Sequence, residues 1–235
     1  KKKKMAILLS ERGNYSLGKA ADILGIGRRS LIAIPTDNRN KVRTDLLASK
    51  CDELKRQNIR VMAIVGIAGA SETGSVDPLD TMADIAAERG IHFHVDSAWG
   101  GPTLFSSTHR HLLKGIERAD SVTLDAHKQL YVPMGAGIAV FRDPKTLTSV
   151  EHHAEYIIRK GSKDLRSHTV EGSRPGMAIL VHSGLHIIGR QGYELLIDQG
   201  IEKARAFGQM IRESDDFWLF SEPELNIRTS HFFFF

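Results

Sequence analysis

Apolar residues along this chain recur with two periods. A spacing of three or four residues predicts a helix, and a continuous run of four to eight predicts a buried strand. Residues 16–25 (SLGKAADILG) put Leu17, Ala20, Ala21 and Leu24 on one face, with Ser16 as N-cap and a glycine stop. LIAIP reads as a strand. Residues 44–58 (TDLLASKCDELKRQN) space Leu47, Cys51 and Leu54 as a helix does, with Thr44 to cap it. RVMAIVGIAG is a continuous apolar run, as a strand buried on both faces should be. DPLDTMADIAAERG follows, with Asp77 as cap, Pro78 in the first turn and Gly90 as terminator. IHFHVD, a helical THRHLLKGI, and the strands SVTL and AGIAVF complete the series.

Strands separated by helical segments of about 10–15 residues imply right-handed crossovers. The expected fold is therefore α/β, a mostly parallel sheet with helices on both faces. From Gly176 to about Glu213 the pattern is mainly helical, broken at Gly189 and Gly192. FWLFSE and LNIRTSHF then read as strands opening a smaller α+β domain. The expected division is residues 1–190 and 191–235.

Composition narrows the function. At 235 residues and 41% hydrophobic, the chain can bury a real core. Its net charge of +4 owes much to the tetralysine at positions 1–4, which reads as a solvated tail. Basic clusters interleaved with aromatics do not recur, so no nucleic-acid partner is expected. The closing run of phenylalanines carries no expectation. The single cysteine, Cys51, excludes an internal disulfide and fits a reducing compartment. It falls on the apolar side of its helix, as a core thiol. With no apolar stretch of membrane-spanning length and no signal-peptide pattern, the expectation is a soluble cytoplasmic protein without a membrane partner.

Three strand ends carry unusual residues. After RVMAIVGI comes a Gly/Ser loop, AGASETGSVDP, containing Ser71; after IHFHV come Asp96 and SAWGG; after SVTL come Asp125, His127 and Lys128. In parallel sheets ligands gather beyond the carboxyl ends of strands, so these groups are expected on one rim. A lysine amine can form a Schiff base with a carbonyl cofactor. A pyridoxal ring also needs a carboxylate against its ring nitrogen to act as an electron sink. Asp96 is the candidate for that role, Ala98 leaves room for a flat ring, and His127 could bond a phosphate or phenolic oxygen. A rival reading uses His92, His94 and Asp96. They alternate along one strand and so share a face, as zinc ligands of a metal-dependent hydrolase can. The tryptophan and glycines after Asp96 suit a platform for a flat ring instead.

HFHVDSAWGG resembles the H-V-D-A-A-x-x-G segment of the pyridoxal-phosphate-dependent group II amino-acid decarboxylases. DAHKQLYVPMGAG resembles their N/D-x-H-K-x-x segment, and AGASETGSVDPL is similar to their A-G-T-T-x-x-G-x-x-D-P loop. Ser71 precedes Asp96 by 25 residues and Asp96 precedes Lys128 by 32, in keeping with that family. HLLKGIERADSVTLDAHKQLYVPMGAG and RKGSKDLRSHTVEGSRPGMA are similar to its bacterial aspartate 1-decarboxylase and glutamate decarboxylase-like branch. The resemblance implies the large domain of a fold type I enzyme using pyridoxal 5'-phosphate, with the active site at a homodimer interface. It implies decarboxylation of a small acidic L-amino acid, aspartate to β-alanine or glutamate to 4-aminobutyrate. Lys128 would carry the cofactor, Asp96 would pair with the pyridine nitrogen, and Ala98 would lie against the ring. Ser71 takes a cofactor-contacting position, Asp125 and His127 flank the lysine, and Arg174 would clamp the substrate α-carboxylate.

The departures are specific. Asn14 stands where the family has a histidine that stacks on the ring and helps orient the substrate. The family's mobile loop carries a proton-donating tyrosine; here Tyr156 lies early in that stretch, and His168 is the substitute acid. A phosphate-binding stretch upstream of SERGNYS does not occur in this chain, which implies an N-terminally truncated piece of a larger enzyme. The same motifs also suit another lyase, an aminotransferase, or a catalytically impaired relative that still binds the cofactor.

Overall fold

The computed structural model describes residues 4–153, 165–169 and 171–232. Tyr156, the first three lysines and the last three phenylalanines lie outside the described residues. A six-stranded sheet in the order β2-β1-β3-β4-β5-β6 forms the body of the chain. Its strands are β1 (Met5–Ser10), β2 (Leu31–Ile34), β3 (Arg60–Ile67), β4 (His92–Asp96), β5 (Ser121–Asp125) and β6 (Gly137–Phe141). All neighbouring pairs are parallel except β5–β6, which is antiparallel. The α/β reading therefore holds. The strand missing from the sequence reading is β1: MAILLS follows the lysine run without a turn signal, yet it lies between β2 and β3.

Strand alternation sends successive side chains to opposite faces. One face carries Ala6, Leu8, Ile64, Phe93 and Val95, packed against Leu47, Cys51 and Leu54 of α2 (Thr44–Arg56) and Leu79, Met82, Ala83 and Ala86 of α3 (Leu79–Arg89). Each fully buried side chain of this size contributes about 1.5–3 kcal/mol. Cys51 is buried in this cluster, and burial pushes its thiol pKa up. The other face carries Leu9, Val65 and Ile67, against which Leu17 of α1 (Ser16–Ile23) packs. Helices thus cover both faces.

The predicted caps do not form. Ser16 does not cap α1; Asn14 does, its Oδ1 accepting the Ser16 N–H at 2.9 Å. Of the face foreseen for α1, Ala21 is buried while Leu24 is exposed. Thr44 makes no capping bond to α2, and Asp77 makes none with its side chain to α3. The Asp77 carboxylate instead accepts the Val42 N–H at 2.8 Å and the Ile67 N–H at 2.9 Å, joining a loop to the end of β3. Gly90 does end α3, in the left-handed conformation. THRHLLKGI forms two 3-10 turns rather than a helix. Gly115 divides them at φ +99°, where an added Cβ would stand 2.3 Å from the Asp80 nitrogen.

The long helix α4 (Met177–Arg212) is interrupted at Gly189 alone; Gly192 stays helical. Its Ile197 and Ile201 join the core under α3, with Leu225. β7 (Phe217–Leu219) and β8 (Ser230–Phe232) make a separate antiparallel pair, shorter than the two strands foreseen. Residues 225–229 are not strand. Among the described residues no helix is long and apolar enough to cross a membrane.

Candidate active site

A cleft of about 550 Å³ opens at the carboxyl ends of β3, β4 and β5, under α1. That volume is in the range of small-molecule and cofactor sites. Register explains what lines it. Ile67 pairs with Asp96, and Asp96 with Thr123, so alternation presents Ile67, Asp96 and Thr123 side by side, with His94 two residues earlier on the same face. Asn14, Ser71, Ala98, Asp125, His127 and Lys128 complete the wall. Seven residues foreseen from sequence thus meet in one place: Asn14, Ser71, Asp96, Ala98, Asp125, His127 and Lys128.

The lysine does not stand alone. Its Nζ lies 3.0 Å from Asp125 Oδ2, and both side chains are half-buried. His127 Nε2 stands 3.8 Å from the same oxygen. The other ring nitrogen, Nδ1, is 3.1 Å from the Ala136 carbonyl oxygen, an acceptor only, so Nδ1 carries the hydrogen and Nε2 is the end turned to the carboxylate. Asp96 Oδ1 accepts the Ala98 N–H at 3.1 Å, which orients the carboxylate at the strand end. The turn from Asp96 to Trp99 packs tightly on the loop after β3. Gly100 N–H donates to the Ala68 carbonyl at 3.0 Å, and a Cβ on Gly100 would lie 2.4 Å from that oxygen.

Asn14 uses both ends of its amide locally. Nδ2 donates to Ser71 Oγ at 3.2 Å while Oδ1 caps α1. It therefore ties the start of α1 to the Gly/Ser loop across the cleft mouth. His92 Nε2 and His94 Nδ1 both lie 2.8 Å from Ser121 Oγ. Burial pushes the His94 pKa down, with the charge of Asp96 acting the other way, so a neutral imidazole lines the cleft floor at neutral pH. Among the described residues no group of His, Cys, Asp or Glu is arranged to hold a metal ion.

Two foreseen residues lie elsewhere. Arg174 is exposed and bonds Thr169 Oγ1 and the Glu171 carbonyl, beside a groove formed by residues 134–138 and the start of α4. His168 is held by Ser167 Oγ at 2.7 Å and faces Glu151 at 3.8 Å. Neither lines the cleft within this chain. Arg12, Tyr15 and Thr123 do line it and were missed. Arg12 carries the cleft's guanidinium, 3.2 Å from Glu72. Only the alternation of β5 opposite Asp96 could have pointed to Thr123.

The residue set fits a pyridoxal cofactor. It supplies an amine, a carboxylate held at a strand end, a small side chain between them and glycine backbone packed too closely for a Cβ. Residues 2–228 match the family described as the pyridoxal-dependent decarboxylase conserved domain. Over 225 residues the chain is 60% identical to an aspartate 1-decarboxylase of Aliivibrio fischeri, covering 96% of this chain and 41% of that protein. It is 30% identical to an L-2,4-diaminobutyrate decarboxylase of Rhizobium meliloti, covering 94% of this chain and 45% of the relative. The chain spans less than half the length of these curated relatives. The crystal structure of mouse CSAD in apo form superposes with a TM-score of 0.91 at 30% identity, over 97% of this chain and 48% of that one.

Proposed function

From the premise that the chain belongs to the pyridoxal-dependent decarboxylase family, we propose that it is the cofactor-holding part of an enzyme that decarboxylates a small acidic L-amino acid. Aspartate, giving β-alanine, is the first choice, since the relative at 60% identity is an aspartate 1-decarboxylase; glutamate, giving 4-aminobutyrate, is the second. The observation that carries this reading is the meeting of Lys128, Asp125, His127 and Asp96 in one cleft at the strand ends.

When bound, pyridoxal 5'-phosphate supplies an electron sink for the pair left behind as CO2 departs. The protein's part is positional and protonic. Lys128 Nζ offers the amine that holds the cofactor carbonyl. Asp125 Oδ2, 3.0 Å away, holds the ammonium in place and is the nearest acceptor for its proton. His127, with Nδ1 tied to the Ala136 carbonyl, keeps Nε2 facing that carboxylate. The Asp96 carboxylate, oriented by the Ala98 N–H, would keep the pyridine nitrogen protonated. Ala98 leaves the ring room, and neutral His94 on the floor adds no cationic competitor for Asp96. Asn14 and Ser71 close the mouth between α1 and the Gly/Ser loop.

Several finer readings belong to the same proposal. The enzyme works as a homodimer with the site at the interface, in the cytoplasm, and Arg174 and His168 act on a site completed by the partner. Residues 1–190 form the large domain. Residues 191–235 open a smaller one, laid onto it through Ile197, Ile201 and Leu225. A catalytically impaired relative is the second reading, favoured by Asn14, whose amide is spent on Ser71 and Ser16.

The test is CO2 release from aspartate and from glutamate by the full-length protein with pyridoxal phosphate. The expected result is CO2 with a stoichiometric primary amine, abolished in Lys128→Ala. An oxo-acid product would point to an aminotransferase. A visible cofactor band without CO2 would establish the impaired relative.

A further inference from the structure

Residues 224–229 run across the carboxyl end of the sheet and touch the loops that follow β2, β3, β4 and β5. Glu224 Oε2 accepts the Val76 N–H at 2.9 Å, and its other oxygen stands 2.7 Å from Lys41 Nζ. Leu225 is 1% exposed and fills the space over two glycines: a Cβ on Gly69 would come within 3.1 Å of its Cδ1, and one on Gly100 within 3.0 Å. Ile227 lies against Gly74, and the Thr229 hydroxyl donates to the Glu72 carbonyl. The segment is a strap over the loops that build the cleft.

At its centre Asn226 closes a ring of three hydrogen bonds. Trp99 Nε1–H donates to Asn226 Oδ1 at 2.7 Å. Asn226 Nδ2 donates to Gln129 Oε1 at 2.9 Å. Gln129 Nε2 donates to the Trp99 carbonyl at 2.8 Å. The ring fixes both amides, because turning either one would break two of the three bonds by setting donor against donor and oxygen against oxygen. Gln129 is buried and follows Lys128 directly, while Trp99 lies three residues after Asp96. The ring therefore clamps the turn that carries the lysine to the turn that carries the carboxylate, from a strap distant in sequence. Asn226 does not line the cleft. Whatever it does there, it does through Gln129 and Trp99.

We propose that Asn226 is a positioning residue: through the Trp99–Asn226–Gln129 ring it fixes the spacing of Lys128 and Asp96 across the cofactor cleft. This rests on the reading of that cleft as a pyridoxal phosphate site. Breaking a ring that only stabilised the fold would lower the melting temperature and do nothing else. A ring that sets spacing must also alter how the apoenzyme takes up the cofactor, because both ends of the ring adjoin residues that hold it.

The experiment titrates full-length apoenzyme with pyridoxal phosphate and follows the visible absorbance of the lysine-bound cofactor, in parallel with melting of the apoenzyme. Asn226→Ala and Gln129→Ala are each expected to weaken cofactor affinity about tenfold or more, since small misplacements of reacting groups cost up to about a hundredfold. The kcat for aspartate should fall by a similar factor, with KM changed by no more than about twofold. The double variant should be no worse than the more affected single, because the two residues act as one unit. Leu54→Ala, in the core beneath α2, serves as the comparison: it should lower the melting temperature at least as far without weakening cofactor affinity beyond about twofold. Parental cofactor affinity in Asn226→Ala overturns the proposal, as do losses that merely track melting temperature as in Leu54→Ala. If the parent binds the cofactor but releases no CO2, the decarboxylase reading fails while the affinity measurements still decide the role of Asn226. If the parent shows no lysine-bound band, the proposal falls together with the cofactor site.

Discussion

Lys128 Nζ and Asp125 Oδ2 stand 3.0 Å apart where β5 gives way to its turn, with the His127 ring 3.8 Å from the same carboxylate oxygen. The lysine is therefore anchored before any cofactor reaches it, and its proton has an acceptor within hydrogen-bond reach. A partly exposed ion pair of this kind contributes only about 0.2–1 kcal/mol to stability, so its value lies in placing the amine rather than in holding the fold. Asp125→Asn should slow uptake of pyridoxal phosphate by the apoenzyme about tenfold without preventing it. Stopped-flow absorbance measures this; an unchanged rate would remove Asp125 from the site's chemistry.

Asp96 does a different task. Its carboxylate is oriented by the Ala98 N–H and would pair with the pyridine nitrogen. Loss of one preorganised electrostatic partner costs about 10²–10³ in kcat. Asp96→Asn should therefore bind the cofactor yet turn over at least about a hundredfold more slowly, measured as CO2 release at saturating substrate. Turnover within about threefold of the parent would exclude that pairing.

Asp77 supplies a pH signature. Burial raises its pKa from 3.8 to about 6, against the hydrogen bonds from Val42 and Ile67 that favour the carboxylate. The folded state thus binds this proton more tightly than the unfolded chain. The stability it contributes is fully present below about pH 3.8 and is lost as pH rises through about 6. At about 1.4 kcal/mol per pKa unit the change is on the order of 3 kcal/mol. Urea unfolding of the parent and of Asp77→Asn at pH 4 and pH 7 isolates it: the parent's advantage over the variant should shrink between the two. A constant difference would show that the carboxylate is not strained by burial.

Gly100 tests the packing under the site. Its Cβ would sit 2.4 Å from the Ala68 carbonyl oxygen and 3.0 Å from Leu225, so either the β4 turn or the strap must move. Overpacking of this kind costs about 1–3 kcal/mol. Gly100→Ala should lower the apoenzyme's unfolding free energy by that amount and weaken cofactor binding in the same variant. An unchanged melting temperature would mean the two loops are not in contact.

The sheet was readable because RVMAIVGI is a continuous apolar run and HFHVD alternates polar and apolar residues, two patterns that strands produce. β1 escaped because a short apolar run directly after four lysines has no turn signal before it, and its place next to the sheet's edge is decided by pairing with β2 and β3. The caps failed for different reasons: the Asp77 carboxylate finds better partners at Val42 and Ile67, far away in sequence, while Asn14, two residues before Ser16, takes the place at the start of α1. Six residues of the cleft, Ser71, Asp96, Ala98, Asp125, His127 and Lys128, were legible because each closes a strand or lies in the loop or turn beside one, and parallel strands bring those ends together; Asn14, after the missed β1, was marked only by the family resemblance. Arg12 and Thr123 carried no such mark. Asn226 could not be read at all, since its partners Trp99 and Gln129 are met only through tertiary packing of the strap.

On the proposed function, Lys128 is the residue that holds the cofactor. Reduction of the cofactor-loaded full-length protein with borohydride would fix a pyridoxyl group on the lysine nitrogen that carries it, and peptide mass mapping would locate that nitrogen. The label should fall on the peptide containing Asp125, His127 and Lys128, at Lys128 itself, and be absent from Lys128→Ala. A label on any other lysine, or none, would contradict the account.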